Sequence, residues 1–233
     1  ASYYPPAPNG DPVSAWLWAR TVPSPDPRFG GAPTPLVTNW WLSKNAKTRA
    51  FVLPEVDREA RNVRFRISTN GEPEPPAKGR CLFSSTPIDF AYVREQGRAG
   101  KLGHQMFAMV AQGASGRSYF APTPDHLAAA ASALPSDPPV EELPERALSF
   151  GVQAYGLRRW AELFTPRQLL MLETFADAVS HVGEWVEEDG GRSEYALAVA
   201  TTLALCVGKL AQFSTELAVW YTRDNTVGKV ERA

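Results

Sequence analysis

Trp40 and Trp41 stand beside a run of cations, Lys44, Lys47 and Arg49. Further cations follow at Arg64, Arg66, Arg98 and Lys101, with Arg20 upstream and Arg167 far downstream. Lysine and arginine position phosphates, and an exposed tryptophan stacks on an unpaired base, so these residues form the candidate nucleic-acid-contacting set. Charge is unevenly spread behind a formal net charge of −1. From Lys44 to Lys101 twelve Lys/Arg stand against seven Asp/Glu, whereas Thr123 to Glu188 carries eleven acids and four bases. The first segment attracts phosphate and the second repels it. The competing reading is architectural: a Trp-Trp pair also serves as core plus rim, and scattered arginines are commonly solvated.

Other groupings carry less chemistry. Phe29-Gly30-Gly31-Ala32 looks like a cofactor-binding glycine loop, but such a loop needs a strand before it and a helix after it. Prolines at 23, 25, 27, 33 and 35 exclude both, so a tight turn is expected. Glu184, Glu187, Glu188 and Asp189 precede Gly190-Gly191 and read as a solvated helix end. The three histidines, His104, His126 and His181, are isolated, and Cys206 lies in an apolar run, so no nucleophile with a partnering base can be assembled. Two cysteines far apart, Cys81 and Cys206, argue against a disulfide framework and for a reducing, cytoplasmic setting. The apolar run Tyr195 to Val207 is shorter than the roughly 20 residues of a membrane span, so no membrane partner is expected.

The elements expected to position these residues divide the chain into two regions. Residues 1–122 read as β-rich with an N-terminal helix. Asp11-Pro12 looks like a helix start, leading through Trp16, Leu17, Trp18 and Ala19. Ala50 to Val56 and the alternating Val63, Phe65, Ile67 predict strands, the second with Arg64 and Arg66 on a basic face. Asn70-Gly71 predicts a turn, Ile88 to Glu95 a short helix, and His104 to Gln112 a strand turning at 113–116 into Arg117 to Ala121. Residues 123–233 read as helical. Thr123-Pro124-Asp125 and Thr165-Pro166 are cap-plus-proline starts, and Pro135 to Pro144 is an acidic linker. Leu169, Leu172, Phe175, Val179, Val182 and Val186 recur at helical steps. Ser193 is expected to cap a further helix from Glu194 to Trp220, packed antiparallel on the previous one, with Tyr221 to Ala233 as a tail or a further element.

Several words along the chain jointly resemble the adenine-specific DNA methylases that contain a zinc ribbon. They are Trp16 to Val22, Pro35-Leu36-Val37, Trp40 to Lys44, Gly97 to Gly103, Arg117 to Thr123, Leu163 to Leu169, and Tyr195 to Ala200 leading to Trp220. Their order and spacing match the middle of that family, between its S-adenosylmethionine motif and its Asp-Pro-Pro-Tyr motif. The resemblance implies a non-catalytic DNA-recognition or scaffolding segment of an S-adenosylmethionine-dependent DNA adenine-N6 methyltransferase. DNA and the remaining methylase domains are the implied partners. The alternative is a stand-alone protein-interaction module derived from such an enzyme.

Departures from the family pattern shape the rest of the expectation. The places of the family's first two ribbon cysteines hold Ser24 and Phe29, and the second knuckle reads Cys81-Leu82-Phe83-Ser84. One thiol of four cannot hold structural zinc, so no metal is expected, and Phe29 and Phe83 are expected to fill the site by packing. Asp137-Pro138-Pro139-Val140 looks like the methylase tetrapeptide, but Val140 offers no aromatic face to a flipped base, and the segment reads as linker. No catalytic residue and no cofactor site are therefore assigned; S-adenosylmethionine is implied for the full-length family alone. The expected fold is α+β: a degenerate zinc-ribbon-like β region followed by an α-helical hairpin.

Overall fold

A computed structural model of the chain describes residues 3–114, 116–145, 151–224 and 226–228. The fold is α+β, as the sequence predicts, with antiparallel sheets in front and a helical hairpin behind.

The chain enters through a turn at Ala7–Gly10 into strand β1 (Val13–Pro23). Here the sequence-predicted N-terminal helix is corrected. Ala15, Leu17, Ala19 and Thr21 are buried on one face of the strand, while Trp16, Trp18 and Arg20 lie half-buried on the other. Both faces are covered, so the period of two is hidden in a continuous apolar run, which periodicity cannot tell from helix. Pro12 precedes the strand, its carbonyl accepting the Gln112 N–H at 3.0 Å.

Short strands β2 (Pro33–Pro35) and β3 (Trp41–Ser43) follow, then β4 (Ala50–Asp57) and β5 (Asn62–Ser68). Helix α1 (Phe90–Arg98) is capped by Asp89 and leads into β6 (Gly103–Gly113) and β7 (Gly116–Phe120). Ser115, in the predicted turn between the last two, lies outside the described residues. One sheet has the order β2-β1-β6-β7 and a second β3-β4-β5, all antiparallel. They pack face to face: Ala15, Leu17, Ala108 and Val110 of the first meet Leu42, Ala50 and Val52 of the second, with Trp40 between. A fully buried valine such as Val52 or Val110 stabilises the fold by about 1.5–3 kcal/mol. A second cluster, Val22, Ala32, Val63, Cys81, Phe83, Ile88 and Val93, fills the other end of the sandwich beneath α1.

Helix α2 (Pro124–Ala131) starts at the Thr123 cap that its sequence announces. The linker 135–144 lies outside the helices, and Glu173 accepts the Ser136 and Asp137 N–H groups, both at 2.9 Å. Helix α3 (Pro166–Glu188) begins with a complete capping box between Thr165 and Gln168. Helix α4 (Ser193–Phe213) returns along α3. Ser193 is its first helical residue and the cap position belongs to Arg192, which makes no side-chain cap bond.

The expected continuation of α4 to Trp220 is also corrected. The helix stops at Phe213 because the next residues bind back onto the body. Thr215 Oγ1 and Glu216 N both donate to Leu163 O, at 2.7 and 2.9 Å, and Trp220 Nε1 donates to Leu42 O at 2.8 Å. Strands β8 (Val219–Tyr221) and β9 (Thr226–Gly228) then pair, and Trp220 and Val227 pack on the first core cluster. The predicted tail beyond Gly228 lies outside the described residues.

Candidate nucleic-acid interface

On the outer side of β1, a cleft of about 530 Å³ opens between the sheet, the start of α3 and the returning chain 214–220. Its aromatic walls include Tyr4, Trp16, Trp18, Trp41, Phe107, Phe213 and Trp220. The Trp16 indole N–H is buried without a hydrogen-bond partner among the described residues. β1 supplies two of these tryptophans because alternate residues share a face. β3 supplies Trp41 at the rim.

Trp41 is half-buried against Phe51, with ring centroids 5.4 Å apart and an edge-on 64° angle. Lys44 Nζ lies 5.8 Å and Arg49 Cζ 5.0 Å from the Trp41 ring. Arg49 also donates to Gly71 O at 2.8 Å and meets Glu72 at 3.4 Å. Lys44 and Lys47 are exposed in the β3–β4 turn, whose backbone is held by Asn45 and Ser43. Four candidates of the sequence thus converge on one hairpin: Trp41, Lys44, Lys47 and Arg49. A half-buried ring with cations over it can stack a base that displaces one of them, leaving that cation free to grip the phosphate.

The other candidates sit elsewhere. Trp40 is in the core, 2% exposed, tilted against Phe65. Arg20 pairs with Glu216 at 2.8 Å, and His104 Nε2 approaches the same carboxylate at 3.4 Å. Arg64 and Arg66 are exposed on β5, but Asp57 lies 3.9 Å and Glu55 3.1 Å away on β4, so this face is mixed in charge where the sequence predicts a basic one. Arg98 and Lys101 are exposed at the end of α1, beside the second core cluster, whereas the Trp41 hairpin borders the first. Arg167 is 4% exposed, lies 4.8 and 4.6 Å from the centroids of the Tyr4 and Trp16 rings, which meet edge-on at 5.1 Å, and donates to Tyr3 O at 3.2 Å. Buried that way, Arg167 holds the N-terminal arm against α3 and offers no charge to a phosphate.

Ser24, Phe29, Cys81 and Ser84 come from segments more than fifty residues apart and meet in one place. Ser24 Oγ and Cys81 Sγ are 3.2 Å apart. Ser84, hydrogen-bonded to Thr86 Oγ1 at 2.8 Å, lies close enough to help lower both the Asp26 carboxyl and the Cys81 thiol. The rings of Phe29 and Phe83 stack at 5.4 Å, Phe83 being 2% exposed. Burial pushes the Cys81 thiol up, but hydrogen bonds from Ser24, Ser84 and the backbone N–H groups of Ser84 and Phe83 outweigh it and hold the thiol below its usual value. Asp26, beside them, is held down to about 2 by hydrogen bonds from the Arg28 side chain and backbone.

One thiol, two hydroxyls and a phenyl ring do not make a zinc site. Among the described residues no group of three or more His, Cys, Asp or Glu could hold a metal. Gly30 and Gly31 have φ of 51° and 75° and follow a single 3-10 turn, Pro27–Phe29, so they form the tight turn expected and not a strand-to-helix loop. Val140 of the tetrapeptide is 76% exposed.

Sequence reasoning missed His104, Glu216 and Trp220 as cleft residues. Glu216 and Trp220 arrive through the break after α4, for which Ser214 and Thr215 are weak signals. No protein-family model, curated protein or solved structure matches the chain.

Proposed function

We propose that this chain is a non-catalytic, DNA-contacting segment of an S-adenosylmethionine-dependent DNA adenine-N6 methyltransferase, with methyl transfer carried out by sequence outside it. The observation that carries the DNA-contacting part is Trp41 lining an aromatic cleft, with Lys44 and Arg49 over its ring and Lys47 exposed in the same hairpin. The family part rests on the sequence resemblance, supported by the meeting of Ser24, Phe29, Cys81 and Ser84 in one cluster. Two knuckles of a ribbon must converge in this way whether or not they still hold metal.

On this reading the segment grips backbone phosphate and stacks one unpaired base, tasks that need no cofactor. Phosphate contacts give affinity that falls with salt, and base stacking is tolerant of sequence. Fluorescence anisotropy against labelled single-stranded and duplex DNA, over a range of salt concentrations, tests it. Weak binding that falls steeply with salt is expected. The double variant Lys44→Ala, Lys47→Ala should lower the duplex salt slope by about 2. Trp41→Ala should weaken single-strand binding by about 1–3 kcal/mol with little change in slope. Affinity independent of ionic strength, or unchanged in these variants, would refute the interface. Calorimetry with S-adenosylmethionine should show no heat of binding.

The alternative, a protein-interaction module derived from such an enzyme, is favoured by one observation: the hairpin of α3 and α4 leaves Phe175, Trp185, Tyr195, Leu197 and Leu205 exposed.

A further inference from the structure

Helix α4 is apolar on all sides, yet it is covered on one. Ala196 is buried and Val199, Val207 and Leu210 are half-buried toward α3, while Leu197 and Leu205 are 70% and 72% exposed. By length and composition this helix could cross a membrane, and a helix apolar all round is normally buried. A face left open on that scale marks an interface.

The open face has a definite pattern. Opposite α3 run Glu194, Ala198, Thr201, Leu205 and Lys209, all exposed, at helical steps of three and four. An acid stands at one end, a base at the other, and no charged residue lies between them. Neither Glu194 nor Lys209 has an ion-pair partner among the described residues; Lys209 reaches Gln212 at 3.3 Å and the Phe213 ring at 5.3 Å. Between them, Thr201 and Thr202 donate their hydroxyls back to Leu197 O and Ala198 O, both at 2.8 Å. Their polar groups are thereby satisfied within the helix, and their methyl groups complete the apolar stripe.

We propose that α4 is a self-association surface that pairs antiparallel with α4 of a second copy of this chain. The antiparallel register sets Glu194 beside the other copy's Lys209 at both ends, places Leu205 over the small Ala198, and puts the two Thr201 residues near the dyad. Parallel pairing would set like charges opposite each other at both ends. The acidic hairpin tips, with Glu184, Glu187, Glu188 and Asp189, also lie at opposite ends of the antiparallel pair and would collide in the parallel one. The interface is isologous, so each contact occurs twice and each substitution counts twice. It is independent of the DNA-binding reading, since Trp41 and its cations lie on the β region.

Sedimentation equilibrium of the full chain at micromolar concentrations tests it. A dimer is expected, and Leu205→Glu should raise its dissociation constant by at least about 30-fold. Glu194→Lys and Lys209→Glu should each weaken it roughly tenfold, and the two together should restore association to within about threefold of the parent. Circular dichroism of each variant guards against misfolding, and the charge swap stays decisive even if Leu205→Glu fails to fold. In a Cys206→Ser background, where Cys81 is buried, Thr201→Cys should cross-link to a dimer under mild oxidation, whereas Leu197→Cys, off the dyad, should not. A monomer throughout, a dimer blind to Leu205→Glu and the charge swap, or association seen only in the presence of phosphatidylcholine vesicles would overturn the proposal.

Discussion

The guanidinium of Arg167 packs on two aromatic rings, Tyr4 and Trp16, which themselves meet edge-on at 5.1 Å, and its buried side chain joins the arm, α3 and β1. A desolvated cation–π contact is worth about 2 kcal/mol or more, so Arg167→Ala should destabilise the protein by about 3 kcal/mol in urea unfolding. Arg167→Lys should recover part of this, because an ammonium cannot stack on both rings. The salt slope of DNA binding should not move in either variant. Asp26 makes a prediction in pH. Its folded pKa of about 2 lies below the ordinary 3.8, so the native state holds fewer protons than the unfolded chain across that window. Its stabilising contribution is complete above about 3.8 and disappears as pH falls through about 2; Asp26→Asn should therefore flatten the acid limb of stability in that range. Residue types were legible in the sequence here, but partners were not. Arg20, Arg64 and Arg66 read as free cations until Glu216, Asp57 and Glu55 arrive beside them from other strands.

The two Thr-Pro helix starts are read well because a cap is a local arrangement. The same kind of signal at Asp11-Pro12 leads into a strand, and the cap position expected at Ser193 belongs to Arg192. Thr123-Pro124 and Thr165-Pro166 begin α2 and α3 as their sequences predict. At Thr165 the hydroxyl accepts from Gln168 N at 3.2 Å and Gln168 Oε1 accepts from Thr165 N at 2.8 Å. Thr165→Ala should cost about 1 kcal/mol, seen as a lower denaturant midpoint with an unchanged slope. Strands are legible where one face is wet, as in β5, with Arg64 and Arg66 alternating against Val63, Phe65 and Ile67. β1 escapes because tryptophans cover its second face. The three-residue strands β2, β3, β8 and β9 escape for another reason: their existence depends on pairing partners distant in the chain, which no local window contains. The end of α4 is likewise set by Leu163 and Leu42, not by its own composition.

At the level of the whole molecule, the ribbon positions and the basic hairpin belong to different core clusters of one sandwich, and the helical hairpin stands out from the cleft between α3 and the returning chain. Ser24, Cys81 and Ser84 are legible in the sequence as residue types, but their meeting in one cluster depends on segments more than fifty residues apart. The sequence names Phe29 and Phe83 as packing residues, and their stacking is seen in the structure. The self-association face was hidden because its meaning depends on which side of α4 the other helix covers. The hairpin has one further property. Helix α3 extends roughly 34 Å at about 1.5 Å per residue. Its root is Arg167 against Trp16, and the root of α4 is Glu216 and Trp220 against Arg20 and Leu42. Both roots stand in the walls of the aromatic cleft, so the hairpin is a cantilever. A load applied near its tip is felt as torque on the residues that line the cavity at its base.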